Sequence, residues 1–352
     1  MESVLHGHGL GARSRQESTT QPPTSTASLV PPWIDIDHRP LPDRSVFRRS
    51  PPGQASHASQ NGPGVRYSEP VLQEPNLEEP LLGVFSKVVQ GQTVKTRLRS
   101  VLSVAEAQRF HVSSLADTLE TALQAESPCV LFLHGGEDGV ALEDLRRRLD
   151  RIGWSAGLWS SIEIRPQRGE NLGERLEGAF RFLCHAGDAP VPALIVGSDS
   201  PHLPPAMLRG ALDVLRGEPS SLQVATAAGT SPGTDEGAGP LGSGAGASRT
   251  APDLVLGPTS DGGYWAIGMR RHHEGLLQGV RWSTEHALAD TLARGRAFGL
   301  RTLLLPQWTD VDRPEDLSAL QSHLQELRRL GDTRTAQHCE GFFRSREPDR
   351  DR

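Results

Sequence analysis

The sequence has few cysteines and no long apolar run, and each shortage excludes a class of protein. Its only cysteines are Cys129, Cys184 and Cys339, and their spacing suits neither a disulfide framework nor a thiolate metal site. No apolar stretch approaches the ~20 residues that a membrane-spanning helix needs, and no apolar signal core follows the first Met. We therefore expect a soluble protein of a reducing compartment, with no membrane partner.

Dense positive charge is missing as well. The chain carries 37 Lys and Arg against 43 Asp and Glu, a balance that argues against a nucleic-acid partner. Acidic residues are scarce near the N-terminus, where Arg13 and Arg15 are present, so an organelle transit peptide is one interpretation. Because many prolines would interrupt the amphipathic helix of such a peptide, we favour a cytoplasmic protein.

Composition divides the chain into a central domain with two flanking segments. Residues 1–78 are rich in Ser, Pro, Gln and Gly and have almost no apolar periodicity, which predicts a disordered extension. Residues 79–331 hold the apolar runs of a folded domain, interrupted at 228–252 by a Gly/Ser/Pro-rich stretch typical of a flexible insertion. We expect the charged end of the chain, 332–352, to fray.

Apolar runs alternate with helical patterns through the central domain. This alternation predicts an α/β fold, Rossmann-like, with a mostly parallel sheet covered by helices on both faces. The predicted strands are Leu81–Ser86, Cys129–His134, Ile162–Arg165, Ala193–Gly197, Val255–Leu256, Trp265–Met269 and Leu300–Leu305. The predicted helices are 104–124, 140–151, Leu172–Cys184, one that begins at Pro204–Pro205, Thr284–Gly295 and Pro314–Leu330.

Two apolar runs end in an Asp among small residues. Asp199 follows a strand in the segment GSDSP, and Asp261 lies in SDGGY. In an open α/β sheet, ligands bind where the carboxyl ends of the strands leave a crevice, and a carboxylate there can hold a divalent cation. Asp261 could equally cap a tight turn, in which Gly262 and Gly263 permit conformations closed to other residues.

Further carboxylates follow the last predicted strand. Asp310 and Asp312 stand in TDVDRPEDL, and either could complete a metal site with Asp199. The alternative is that Asp312, two residues before Pro314, caps the last helix.

A cationic loop follows the first strand. Lys87, Lys95 and Arg97 surround Gly91, at which the backbone can approach a ligand closely. Three cations at the carboxyl end of a strand suit the phosphates of a nucleotide, although a solvated basic loop is the commoner explanation. A Walker-type loop is excluded, because the Gly-Lys-Ser/Thr ending is absent.

A compact turn at Trp282, Ser283 and Thr284 precedes a predicted helix. Trp282 could form a wall of an acceptor pocket, and either Ser283 or Thr284 is a natural helix N-cap.

Taken together, these segments resemble the glycosyltransferase-A (GT-A) superfamily of nucleotide-diphospho-sugar transferases. More narrowly, they resemble a bacterial-type family named as glycosyltransferases, some of which are linked to arsenosugar biosynthesis. The resemblance spans about residues 81–328. It is carried by FSK and VKTRL, ADTLETAL, QRGENLGERL, VGSDSPHLPP, LGPTSDGGYWAIG, WSTEHALADTL and DVDRPEDL.

The resemblance implies roles for particular residues. Lys87, Lys95 and Arg97 would bind the nucleotide phosphates, while Asp199 would hold Mg²⁺ or Mn²⁺ with Asp312 nearby. The acceptor side would be lined by Asp261, Gly262, Gly263 and Tyr264. The chain departs from the family in two places: Val89 stands where the loop normally has Pro, and Ser198-Asp199-Ser200 supplies one carboxylate where a full Asp-x-Asp would supply two.

The leading functional hypothesis is transfer of a sugar from a nucleotide-diphosphate donor to a small acceptor. The cationic loop and a divalent ion would stabilise the leaving diphosphate, and Asp261 could accept the acceptor's proton. The nearest alternative is a nucleotidyltransferase, in which Lys95 and Arg97 would stabilise the α-phosphorus of a nucleoside triphosphate during attack by a phosphorylated acceptor. A catalytically silent nucleotide-binding scaffold is the third.

Overall fold

The computed structural model describes residues 81–89, 94–135, 139–154, 156–185, 190–226 and 251–346. The predicted N-terminal extension, Gly91 and nearly all of the predicted insertion lie outside these ranges. None of the helices in the described ranges is both long and apolar enough to cross a membrane.

The described strands form one sheet of eight strands, in the order β3-β2-β1-β4-β7-β6-β8-β5. All run in one direction except β5 and β7, which are antiparallel to their neighbours. The predicted α/β class with a mostly parallel sheet is therefore confirmed. The strands are β1 (Leu81–Lys87), β2 (Cys129–His134), β3 (Ile162–Pro166), β4 (Ala193–Gly197), β5 (Ala225–Thr226), β6 (Leu254–Pro258), β7 (Tyr264–Met269) and β8 (Thr302–Leu304).

Helices cover both faces of the sheet, as predicted. Along β4, Ile195 lies in an apolar cluster with Leu183, whereas Leu194 and Leu215 converge on Gly268. Successive strand residues point to opposite faces, so the helices that carry Leu183 and Leu215 lie on opposite sides. The helices are α1 (Val104–Gln124), α2 (Gly139–Arg151), α3 (Leu172–Leu183), α4 (Pro205–Arg216), α5 (Ala287–Ala297), α6 (Pro314–Arg329) and α7 (Gln337–Arg344), and Leu183 lies on α3 and Leu215 on α4.

The helix predicted from Thr284 begins three residues later, at Ala287, and the predicted cap at Ser283 or Thr284 is wrong. Thr284 Oγ1 donates to the carbonyl of Arg281 and accepts from the backbone N–H of His286. The hydroxyl thus closes a separate turn ahead of α5, and the N-cap residue is His286.

The prediction of a fraying end from Asp332 is wrong for residues 337–344, which form α7. This short helix buries Cys339, Phe342 and Phe343, and the ring centroid of Phe342 lies 5.3 Å from that of Phe110 on α1. Apolar residues at positions i, i+3 and i+4 form one helical face, and their burial outweighs the charge of the neighbouring residues.

Candidate active site

The site lies at the edge of the sheet where β1, β4 and β6 end and β7 begins. The segment that follows β8 returns to this edge and is held there by the backbone. The N–H of Trp308 donates to the carbonyl of Pro258 at the end of β6, and the N–H of Val311 donates to the carbonyl of Asp199 after β4. Side chains from distant parts of the sequence therefore meet at one place.

Lys95 is the centre of the site. Its ammonium lies 2.6 Å from Oδ1 of Asp199 and 3.1 Å from Oδ1 of Asp312, and it donates to the carbonyl of Val311 at 2.6 Å. A lysine ammonium has three N–H donors, so these three acceptors satisfy it completely. The two aspartates predicted as metal ligands are thus brought together, with a lysine between them.

Burial and charge act in opposite directions on this triad. Desolvation of Lys95 favours its neutral form, but the charges of Asp199 and Asp312 outweigh it and raise the pKa of the ammonium. Desolvation likewise opposes ionisation of Asp199, yet the charge and hydrogen bond of Lys95 lower the pKa of that carboxyl. Lys95 and Asp199 are therefore both charged at neutral pH.

The second carboxylate, Asp312, is not the helix cap that the sequence left as an alternative. Oδ2 of Asp316 accepts from the N–H groups of Arg313 and Asp312 at the start of α6. The Asp312 side chain pairs with Lys95 through Oδ1. Its Oδ2 lies 3.6 Å from Nη1 of Arg97, whose side chain is more than half exposed.

Two more carboxylates adjoin the triad. Oδ1 of Asp261 accepts from Oγ1 of Thr259 at 2.6 Å and from the N–H of Gly263 at 3.0 Å, which closes the turn between β6 and β7. Burial, followed by the charges of Asp261, Asp312 and Asp199, raises the pKa of Asp310 to about 6. The edge therefore gathers four acidic side chains, two of which pair with the buried ammonium.

Behind the carboxylates lies a layer of buried hydroxyls and one imidazole that the sequence analysis missed. Oγ of Ser86 and Oγ of Ser198 are 2.9 Å apart, and Ser114 donates to the carbonyl of Ser198. Nε2 of His111 donates to the carbonyl of Lys87 at 2.9 Å, and burial lowers the pKa of His111. His111 and Ser114 are three residues apart on α1 and so share a face, which is the signal that could have identified them.

His202 supports the segment after β8 from beneath. It is buried, its Nε2 lies 3.1 Å from Oγ1 of Thr309, and its ring centroid lies 5.2 Å from that of Trp308. Burial lowers the pKa of His202 to about 3, so the ring is neutral. It therefore positions the loop that carries Asp310 and Asp312.

The predicted phosphate-binding cations occupy different positions. The side chain of Lys87 is exposed at the end of β1, and Arg97 is exposed beside Asp312. Lys95 is the buried member, since only 3% of its side chain is exposed.

The residues predicted to line the acceptor pocket fall into two groups. Gly262 has φ +85°, and a Cβ there would lie 2.1 Å from the carbonyl oxygen of Glu285, so only glycine lets this turn pack against the segment before α5. Tyr264 and Trp282 pack with their rings edge to face, at a centroid distance of 6.3 Å, against the apolar cluster of α3. Their contacts here are packing contacts, and an acceptor role for them stays a prediction.

A second polar cluster combines Asp117, Glu120 and His338, whose ligand atoms lie close enough to hold a metal ion. Its hydrogen bonds give another account. Asp117 accepts from the N–H groups of His338 and Cys339 at the start of α7. His338 donates from both ring nitrogens, to the carbonyl of Ile152 and to Glu120. This cluster, which we call the docking cluster, fastens α7 to α1.

Comparison with known proteins agrees with the fold. Residues 118–229 and 244–284, less than half of the chain, match the family described as an uncharacterized protein conserved in bacteria, DUF2064. The crystal structure of a proposed nucleotide-diphospho-sugar transferase from Desulfovibrio desulfuricans G20 superposes with a TM-score of 0.56 at 22% identity, covering 77% of this chain and 100% of the other. The chain has the GT-A-like fold of nucleotide-diphospho-sugar transferases. The fold that the sequence resemblance implied is thereby confirmed.

More distant likenesses to this GT-A-like fold were also found. CMP:2-keto-3-deoxy-manno-octonic acid synthetase complexed with CTP gives a TM-score of 0.36 at 15% identity, over 70% of this chain and 99% of that one. 4-Diphosphocytidyl-2C-methyl-D-erythritol synthase from Anaerococcus prevotii DSM 20548 gives 0.38 at 10% identity, over the same shares. These two carry no argument about the site. None of the curated proteins compared with the chain matches it.

The family match and the site overlap only in part. Asp199 and Asp261 fall inside the matched residues, whereas Lys95, Arg97 and Asp312 fall outside them. The arrangement around Lys95 is therefore read from the structure of this chain alone.

Proposed function

We propose that the protein is a transferase that uses a nucleotide-activated donor and moves a sugar from a nucleotide-diphosphate sugar to a small acceptor. The observation that carries the proposal is Lys95 held between Asp199 and Asp312 at the carboxyl edge of the sheet. In open α/β sheets this edge is where ligands bind, and the fold is that of nucleotide-diphospho-sugar transferases.

The cations at this edge suit the donor's diphosphate. Cleavage of the bond between sugar and phosphate leaves negative charge on the departing diphosphate, and preorganised cations stabilise such charge in a site of low dielectric constant. Lys87 and Arg97 are exposed and can reach an incoming phosphate. Lys95 is buried beneath them and supplies a fixed positive charge to the site, because its ammonium is held by Asp199, Asp312 and the carbonyl of Val311.

The carboxylates suit the acceptor. A sugar or alcohol hydroxyl that attacks the donor must lose a proton, and a carboxylate within hydrogen-bond reach can accept it. Asp261 is the candidate we retain, because one of its oxygens is held by Thr259 and Gly263 and the carboxylate is therefore fixed in orientation at the mouth of the site.

A divalent cation would supply further stabilisation of the leaving diphosphate. The donor chemistry of Asp199 and Asp312 suits Mg²⁺ or Mn²⁺, which prefer carboxylate oxygens, but the space between the two carboxylates is taken by the Lys95 ammonium. The pair does not fit a metal ion while Lys95 holds this place, so the roles assigned above use the chain's own cations.

The test begins with thermal unfolding in a panel of nucleotide sugars and nucleoside triphosphates. A ligand that binds only the native state at ~100 times its Kd adds about 2.7 kcal/mol, which raises the unfolding midpoint measurably. The stabilising donor is then incubated with candidate acceptors, and the released product is identified. Nucleoside diphosphate supports sugar transfer, whereas pyrophosphate would support the nucleotidyltransferase alternative.

The matched variants are Asp199→Asn in the site and Asp150→Asn on the exposed face of α2. We expect the first to lose turnover and the second to retain it. If no donor stabilises the wild-type protein and none is consumed, the catalytically silent scaffold becomes the better description.

A further inference from the structure

The Lys95 ammonium occupies the position that a cation shared by Asp199 and Asp312 would take. It contacts Oδ1 of both carboxylates, at 2.6 and 3.1 Å, and gives its third proton to the carbonyl of Val311. No donor of the ammonium is left over for a ligand or for water. The lysine is therefore fully bonded in the ligand-free protein.

The surroundings hold Lys95 in this position. Its side chain is 3% exposed, and the ammonium lies 5.8 Å from the centroid of the Phe110 ring, within the range of a cation–π contact. The backbone of Lys95 has φ +48°, a left-handed conformation that is strained for a non-glycine residue. A strained residue persists where the surrounding contacts outweigh the strain, and here those contacts are the two carboxylates and the Val311 carbonyl.

A divalent ion cannot share this space with the ammonium. Mg²⁺ binds its oxygen ligands at about 2.0–2.1 Å, and the ammonium nitrogen is itself 2.6 and 3.1 Å from the same two Oδ1 atoms, so an ion bound to both would lie beside the ammonium. Like charges at such a distance repel strongly, more so where solvent is largely excluded. Metal binding to this pair therefore requires the ammonium to leave.

We infer that Lys95 is the resident counter-cation of Asp199 and Asp312, and that it keeps divalent metal ions off this carboxylate pair in the ligand-free protein. The inference rests on the proposed function only in placing the site, because metal binding can be measured without any nucleotide. Its failure and the failure of sugar transfer are therefore distinguishable.

The test is a titration of the ligand-free protein with Mn²⁺. The electron paramagnetic resonance signal of unbound Mn²⁺ measures how much of the ion is bound. Lys95→Met keeps most of the side chain's length and removes its charge, and we expect it to bind Mn²⁺ at least about tenfold more tightly than the wild type. Arg99→Met is the control, since it removes the same formal charge from an exposed side chain four residues away and should leave the Kd unchanged. Adding Asp199→Asn to Lys95→Met should abolish the gain.

Equal Mn²⁺ affinity in the wild type and in Lys95→Met would overturn the inference, and so would a gain that survives Asp199→Asn. A second measurement on the wild type covers the case in which Lys95→Met does not fold. A buried ammonium with three hydrogen bonds exchanges its protons slowly and gives a ¹⁵N-detected lysine signal, assigned by its loss in Lys95→Arg. We expect micromolar Mn²⁺ to leave that signal sharp, and broadening of the signal would contradict the inference.

Discussion

Two clusters of charged side chains in this protein both contain aspartate but use it differently. In the docking cluster, Asp117 is 2% exposed and its two oxygens accept from backbone N–H groups of α7. In the site at the sheet edge, the side chain of Asp199 is 47% exposed and is paired with a lysine. The first carboxylate has its hydrogen bonds supplied by the backbone and is closed to ligands, whereas the second keeps a face open to them.

The difference shows why proximity of potential ligand atoms is a poor guide to function. The docking cluster meets the distance requirement for a metal site, but each of its groups already has a structural partner. The triad of Lys95, Asp199 and Asp312 has exposed carboxylate surface and a cation whose partners are side chains as well as backbone.

The largest effect should come from Asp199→Asn, which breaks the triad of Lys95, Asp199 and Asp312. We expect kcat/KM for the donor identified by thermal unfolding to fall by about 100-fold or more, because the site loses the negative charge that is paired with Lys95. The free energy of unfolding should fall by less than about 1.5 kcal/mol, since the amide oxygen can still accept from Lys95. Product release and urea unfolding measure the two quantities; a variant that is unfolded at room temperature would contradict this assignment.

Asp117→Ala, which breaks the docking cluster, should instead lower stability more than activity. Two N–H groups at the start of α7 lose their acceptor, and this should cost about 2–3 kcal/mol in the free energy of unfolding. Asp150→Ala on exposed α2 is the matched control and should change stability by less than about 0.5 kcal/mol. Unfolding in urea gives both values, and a loss in Asp117→Ala no larger than in the control would show that α7 is not held by this cap.

The comparison can be sharpened by pH. Burial raises the pKa of Asp117 to about 7, and the pKa of His338 is raised as well: desolvation opposes its charge, but Glu120 and Asp117 outweigh that effect. Both folded-state values lie above the unfolded ones, so both groups contribute stability that is present at low pH and lost as pH rises through the folded values. We expect the docking of α7 to weaken as the pH rises from about 4 to about 7, where Asp117 loses its proton, and to weaken further above pH 6.5 as His338 does. Native-state hydrogen exchange of the α7 amides measures both losses.

His338→Gln supplies the control for that measurement. It removes one of the two titrating groups and should flatten the pH dependence of the α7 amides. An unchanged slope would assign the pH dependence to other groups.

The smallest effect should follow from Arg97→Gln, beside Asp312 of the triad. The pair of Arg97 and Asp312 is 3.6 Å apart and largely exposed, and exposed ion pairs contribute about 0–1 kcal/mol. We expect an unchanged unfolding midpoint and a donor Kd weakened by a few-fold, measured by calorimetry with the donor. A loss of more than about tenfold would place Arg97 deeper in phosphate binding than its exposure indicates.

The sequence was sufficient for the fold class and for the meeting of Asp199 and Asp312, because parallel strands deliver their carboxyl ends to one edge of the sheet. It could not assign the partners of Lys95, which come from residues more than a hundred positions away. His111 and Ser114 were missed for the same reason, since their acceptors are backbone carbonyls of other elements.

Two local patterns were present but were interpreted wrongly. The apolar face of α7 is interspersed with His338, Glu340 and Arg344, and that charge was taken as the sign of a free end. At α5, Ser283 and Thr284 have the chemistry of helix caps, but Thr284 uses its hydroxyl within the preceding turn. Cap chemistry predicts that a turn or a helix begins nearby, and the residue at which the helix starts depends on packing.

The distance along the chain between Lys95 and Asp312, 217 residues, has a consequence for how the protein assembles. Contacts between remote positions form late, because the entropy of closing a long loop must be overcome before they contribute. During synthesis on a ribosome, Lys95 and Asp199 emerge well before the segment that carries Asp312. The site is therefore expected to be completed among the last steps of folding, and a nascent chain that has made only its first strands already has the lysine but not yet its second carboxylate.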